Sequence, residues 1–178
     1  MSAVLPASAV RSFAPIEAAD ARLLVLGSMP GVASLRAGRY YAHPRNTFWP
    51  ILGELIGAPA DWPDWDYARR ATALKAAGIA VWDVLAQCQR EGSLDARIER
   101  RSEVANDITG FVAGHPRLAA IALNGRAAEA AYRRHMSCSV AALRPAISIV
   151  ALPSTSPAHA ARSYAQKRAE WEVLRRWL

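Results

Sequence analysis

The chain has 178 residues, 52% of them hydrophobic, which suffices for one domain with a buried core and falls short of two comfortable ones. A formal net charge of +7 spreads a positive field over the surface and favours nucleic acid or another polyanion as partner, while saying nothing about fold. Two cysteines, Cys88 and Cys138, cannot build a four-thiolate cluster or a disulfide framework, so a reduced cytosolic compartment is expected, with neither a structural metal nor a cofactor indicated.

Residues 1–15 read as a loosely held arm without the charged start and long apolar middle of a signal peptide, and a single domain is expected over 16–178. The apolar run 21–26 reads as a buried parallel strand that breaks at Gly27 into a turn containing Pro30 and Gly31. A long loop rich in Gly, Arg and Tyr follows and closes on His43-Pro44-Arg45-Asn46 before an apolar, aromatic helix over 47–56. Loops of that length in a compact domain usually carry function, and this one holds too many aromatics for plain linker. Helical composition over 66–77 stops at Gly78, and a second apolar run over 79–82 ends at Asp83. A short polar helix or turn is expected over 93–98, a helix over 102–114, a third strand over 118–123 ending at Asn124-Gly125, and a helix over 127–135. A fourth strand over 146–152 ends at Pro153, and 163–178 has helical spacing. No apolar run is long enough to span a bilayer.

Short continuous apolar strands alternating with helices argue for a three-layer α/β/α domain around a four-stranded, mainly parallel central sheet. Ligands of such sheets sit beyond the carboxyl ends of the strands. The loops after Leu26, Trp82, Leu123 and Leu152 should therefore converge on a site.

The loop after the first strand, Gly27-Ser28-Met29-Pro30-Gly31 followed by residues 41–49 (YAHPRNTFW), and the loop after the last, residues 152–158 (LPSTSPA), together resemble the uracil-DNA glycosylase superfamily. The hypoxanthine-DNA glycosylase branch is the most similar, and it shares the words WDV at Trp82-Asp83-Val84 and EGSLD at 91–95. The resemblance implies a DNA repair enzyme that flips a deaminated base out of DNA and hydrolyses its N-glycosidic bond to leave an abasic site. Hypoxanthine is the first choice of base, with uracil or xanthine behind it. It also implies action as a monomer on DNA without a metal. Two positions depart from the family: Met29 stands where related glycosylases place a polar Asn or Asp, and Leu152 where the main uracil glycosylases place a His. A thioether can neither hold a water nor take its proton.

Asn46 is the polar residue left to act, and the resemblance implies that it is catalytic. Its carboxamide can position a water at the sugar but cannot deprotonate it, so the barrier would fall mainly through stabilisation of the departing base. The alternative role is a helix start, for which Asn is a common choice. Tyr41, or its neighbour Tyr40, would stack on the extruded base. The backbone amides around Gly27, Ser28 and Met29 would hold a base carbonyl, and His43 would donate to base or phosphate or else fix its loop. Asp83 would meet the base edge or cap a following helix. Pro153, Ser154, Thr155 and Ser156 form a stiffened loop suited to phosphate contacts that kink the strand, with Arg162, Lys167 and Arg168 as further phosphate candidates. The wedge that fills the vacated stack has only weak candidates in Ser156, His159 and Arg162. No Lys stands in the matched motifs to form a Schiff base, so lyase chemistry is not expected. Two rival readings are a mismatch-specific uracil or thymine glycosylase and a module that binds damaged or single-stranded DNA without catalysis. A nucleotide hydrolase is disfavoured by the lack of a Gly-rich phosphate loop.

Overall fold

A computed structural model describes residues 9–178. Strand β1 (Ala9–Arg11) is followed by β2 (Leu23–Gly27), helix α1 (Val32–Ala37), α2 (Phe48–Leu55) and α3 (Tyr67–Ala76). Strands β3 (Ile79–Asp83), β4 (Leu85–Gln89) and β5 (Val104–Ala105) precede α4 (Ile108–Gly114), β6 (Ala120–Asn124), α5 (Arg126–His135), α6 (Ser137–Leu143), β7 (Ser148–Leu152) and α7 (Tyr164–Trp171). The chain ends in a 3-10 helix, Glu172–Trp177.

The main sheet has the order β3-β2-β6-β7, and every pairing in it is parallel. The strands β2, β3 and β6 are almost wholly buried because helices cover both faces. Alternation along the strands assigns residues to the two faces. Leu23, Val25, Ile79, Val81, Ala120 and Ala122 pack with the apolar residues of α2, Leu74 of α3, Trp171 and Leu174. Leu24, Leu26, Ala80, Ile121 and Leu123 pack with Ile108, Phe111 and Val112 of α4, Tyr132 of α5 and Val140 of α6. The expected three-layer α/β/α architecture with a four-stranded parallel sheet is thus observed. No helix of the described residues is long and apolar enough to cross a membrane.

The chain runs from β2 to β3 on one side and then to β6 on the other, so the direction of winding reverses between β2 and β6. That reversal opens a crevice at the carboxyl ends of these strands, where ligands of such sheets are held.

Four features differ from expectation. Residues 1–8 of the arm lie outside the described residues, but the remainder is tied down. Ala9–Arg11 pairs antiparallel with β4, and Ile16 exchanges two backbone hydrogen bonds with Val81, of 2.9 and 2.8 Å, along the outer edge of β3. Strand β4 was not expected; only Val84 separates it from β3, and with β1 and β5 it makes a second, antiparallel sheet. The helix expected over 102–114 starts only at Ile108, because the Asp107 carboxylate accepts the Gly110 amide at 2.8 Å and so sets the first turn there, while 104–105 join β4. The long loop after β2 contains α1, which Gly38 ends in the left-handed conformation at φ 61.

Candidate active site

A cavity of about 380 Å³ opens at the winding reversal, lined by Gly27 from β2, Asp83 from β3, Asn124 from β6 and Ser154 beyond β7. All four expected loops meet there. Of the residues singled out from sequence, Ser28, Met29, Tyr41, His43, Asn46, Thr155 and Ser156 also line it. Pro153 and Arg162 do not; Pro153 accepts the indole N–H of Trp171 through its carbonyl at 3.0 Å, and Arg162 pairs with Glu170 at 3.1 Å on the surface. Lys167 is buried and donates to the Ser156 carbonyl at 3.2 Å, so it braces the last loop from behind rather than facing solvent. Arg168 is paired with Glu54.

One buried amide joins the two distant loops. Asn124 accepts the Thr155 amide on Oδ1 at 2.9 Å, and its Nδ2 donates to Thr155 Oγ1 at 3.0 Å and to the Tyr41 hydroxyl at 3.2 Å. Thr155 is fully buried, and its carbonyl accepts from Thr47 N at 3.1 Å and from Thr47 Oγ1 at 3.2 Å. Asn46, the residue before Thr47, is therefore fixed relative to both loops.

Tyr41 has φ 54, which a non-glycine residue adopts at a cost of about 1 to 3 kcal/mol unless its surroundings impose it. Here Phe48 stacks on its ring with centroids 3.8 Å apart and planes 15° from parallel, and Asn124 holds its hydroxyl. Phe48 is buried behind the ring and takes no part in the lining, so the rest of the ring forms a rigid aromatic wall. Tyr40 instead donates its hydroxyl to the Phe13 carbonyl at 3.0 Å and is buried. Desolvation, reinforced by Asp83, pushes the Tyr41 phenol far above its ordinary value, and it stays neutral.

Asn46 Oδ1 accepts the Phe48 amide at 3.0 Å, a two-residue turn leading into a helix whose cap is Thr47, so the side chain supports the helix start without being its cap. A carbonyl oxygen has two lone pairs, and the second remains for a water. His43 Nδ1 accepts the Arg45 amide at 3.1 Å, which leaves Nε2–H as its donor. The N–H groups of Ser28 and Met29 have no acceptor among the described residues, whereas the carbonyls of Gly27 and Ser28 are taken by Val84 and Leu85.

Asp83 is buried, and no helix follows it, so the capping role is excluded. Its Oδ2 accepts the Ser12 hydroxyl at 2.6 Å. Burial pushes its carboxyl up to about 7, with the Ser12 hydrogen bond opposing, so near neutral pH the neutral and ionised forms are both present. Gly27 makes this possible: a Cβ there would lie 2.5 Å from Asp83 Oδ1 and 3.1 Å from the Tyr41 hydroxyl.

Sequence reasoning missed Ser12, Arg90, Ser93, Leu94, Asp95 and Asn124. Asp95 Oδ1 accepts Ser28 Oγ at 2.8 Å and stands 3.9 Å from Arg90 Nη1. Arg90 is wholly buried and donates to the carbonyls of Pro30 at 2.5 Å and Gly92 at 2.8 Å. The signal for Asn124 was its place at a strand end, and the shared EGSLD word pointed at Ser93 to Asp95; nothing local marks Ser12 or Arg90.

Fold and cavity together define the class: a three-layer α/β protein with a cavity at the winding reversal of a parallel sheet, lined by the Tyr41 ring and by the turn Gly27 to Gly31. Residues 14–178 match the uracil DNA glycosylase superfamily, and the chain belongs to it. It is a DNA glycosylase by that membership. Over 116 residues it is 36% identical to a hypoxanthine DNA glycosylase of Methanosarcina barkeri, a span covering 65% of this chain and 71% of that protein. A hypoxanthine DNA glycosylase of Methanosarcina acetivorans is also 36% identical, over 118 residues, covering 66% and 72%. A solution NMR structure of a Methanosarcina acetivorans protein, provisionally assigned as a uracil DNA glycosylase, superposes with a TM-score of 0.78 at 31% identity, over 95% of this chain and 98% of that one.

Proposed function

We propose that the protein excises hypoxanthine from DNA by hydrolysis of the N-glycosidic bond, leaving an abasic site. The observation that carries this reading is the Asn124 junction, which sets a braced aromatic ring and the Asn46 carboxamide around one cavity with room for a nucleobase. An extruded base stacks on Tyr41, whose position Phe48 and Asn124 hold before the substrate arrives. The N–H groups of Ser28 and Met29 donate hydrogen bonds to the negative charge that builds on the departing base, the larger part of the catalysis where the Asn46 amide cannot itself take the proton of the water. Asn46 presents its unused lone pair to a water and aims it at C1′.

The base edge falls to Asp83. Hypoxanthine presents an N1–H donor beside an O6 acceptor. An ionised carboxylate serves the first and repels the second, while a carboxylic acid serves either. A carboxyl titrating at about 7 suits this edge better than an ordinary aspartate. Among the described residues the lining holds no lysine, which supports hydrolysis by water over Schiff-base chemistry and so a monofunctional enzyme.

The test is incubation with matched oligonucleotides carrying inosine, uracil, xanthine or a G·T pair, followed by alkali cleavage. Inosine strands are cut fastest on this reading. Preferential cutting at uracil or G·T moves the specificity to those bases, and intact strands throughout at high enzyme overturn the catalytic assignment.

A further inference from the structure

The duplex collapses around an extruded base unless something occupies the gap, and apart from its prolines, held in the backbone of the turn, the loop after β7 offers only small or polar side chains for that task. The opposite rim does better. Arg90 and Ile98 form an antiparallel bridge, and Glu99 donates its amide to the Gln89 carbonyl at 2.9 Å, closing an arch over 91–97 with Leu94 midway between its feet. Leu94 is 52% exposed. Among the described residues it is also the one exposed large apolar side chain that lines the cavity.

A lone exposed leucine ordinarily means nothing. This one is held on both sides. Ser93 Oγ accepts the Val32 amide at 2.9 Å, Asp95 accepts Ser28 Oγ, and the buried Arg90 guanidinium grips Pro30 and Gly92. The arch is thereby pinned to the same turn that presents the Ser28 and Met29 amides, while its central side chain points at no apolar partner of the core. Ordering an exposed apolar side chain at the mouth of a nucleobase slot has a use when the duplex itself is the partner.

We propose that Leu94 is the wedge that enters the base stack when the target nucleotide leaves it. This rests on the reading of the cavity as a slot for a flipped base. A wedge matters where there is a stack to open and little where there is none. The test compares base release from inosine opposite cytosine in duplex with release from inosine in a single strand, for wild type, Leu94→Ala and Leu94→Phe, under single turnover. Leu94→Ala is expected to lose at least about tenfold more activity on duplex than on single strand, and Leu94→Phe to recover most of that difference. Fluorescence of 2-aminopurine beside the target, read with the uncut product strand as reference, should show less unstacking with Leu94→Ala. Equal losses on both substrates, or no loss on either, overturn the wedge. Absence of release by wild type from both substrates would instead defeat the hydrolase reading, which the 2-aminopurine signal then separates from the wedge because unstacking needs no bond cleavage.

Discussion

The two walls of the cavity are built from different chemistry. Tyr41, Asn46, Asn124 and Thr155 are joined by neutral amide, hydroxyl and backbone hydrogen bonds, and their geometry is insensitive to protonation. Beside them, Asp83, Asp95 and the buried Arg90 are ionisable groups held near one another, with Ser12 and Ser28 donating to the two carboxylates. The contrast separates two jobs. On the proposed function, a neutral wall would keep ring and water in place at any pH, whereas a charged wall would match a base edge whose donors and acceptors differ from one deaminated base to the next.

The largest effect expected tests the neutral wall. Asn46→Ala should lower single-turnover base release about 10²- to 10³-fold, because only positioning of water and sugar is lost while the amides of Ser28 and Met29 remain. The cost in unfolding free energy should be about 1 kcal/mol, from the lost contact with the Phe48 amide. A loss confined to stability would reduce Asn46 to a helix start.

The charged wall breaks most severely at Arg90. Arg90→Met removes a guanidinium that holds two carbonyls and faces Asp95, and urea unfolding should show a loss of about 3 kcal/mol. Asn124→Ala is the matched lesion on the neutral wall. It strands the buried Thr155 amide and frees the Tyr41 hydroxyl, with a loss of about 2 kcal/mol by the same assay.

The smallest effect sharpens the contrast through pH. The Asp83 carboxyl is raised to about 7 by burial, so between the ordinary aspartate range and 7 the folded state binds more protons than the unfolded one. Stability from this group is therefore greatest at acid pH, falls as pH rises towards 7, and is level above it. Asp83→Asn should flatten that slope. Ser12→Ala, by removing the hydrogen bond that favours the ionised form, should move the end of the slope upward by about one pH unit or less. Thermal melts across pH 4 to 8 read both, and Asn124→Ala should leave the shape of the pH dependence largely intact.

The same division explains what the sequence made legible. Most of the neutral wall is encoded in local blocks: Gly27 to Met29 close a buried strand, Tyr41 to Asn46 precede an apolar helix, and the Ser154–Ser156 loop sits between prolines, while Asn124, which ties them together, is marked only by its place at a strand end. The apolar strands of the main sheet declare themselves by burial on both faces. The charged wall is assembled from segments without periodic signal. Strand β4 buries Leu85 and Cys88 three positions apart, with a register shift in its pairing with β5, so it lacks the two-residue alternation that would mark a strand, and β1 pairs with it across nearly the whole first half of the chain. Ser12 reaches Asp83 only because of that pairing. Asn106 donates to the Asp83 carbonyl at 2.9 Å, a contact that shortens the expected helix and that no local rule contains. Arg162 shows the opposite failure: its charge suggested DNA, yet Glu170 on the following helix is the partner it meets.

The central claim is that one slot receives an extruded base against Tyr41, within reach of Asn46. A crystal structure of Asn46→Ala bound to inosine-containing duplex addresses it directly. The account predicts hypoxanthine out of the helix, stacked on the Tyr41 ring, with its N1–O6 edge at Asp83 and a carbonyl or ring nitrogen at the Ser28 and Met29 amides. Hypoxanthine still paired in the duplex, or seated with Tyr41 and Asp83 untouched, would contradict it.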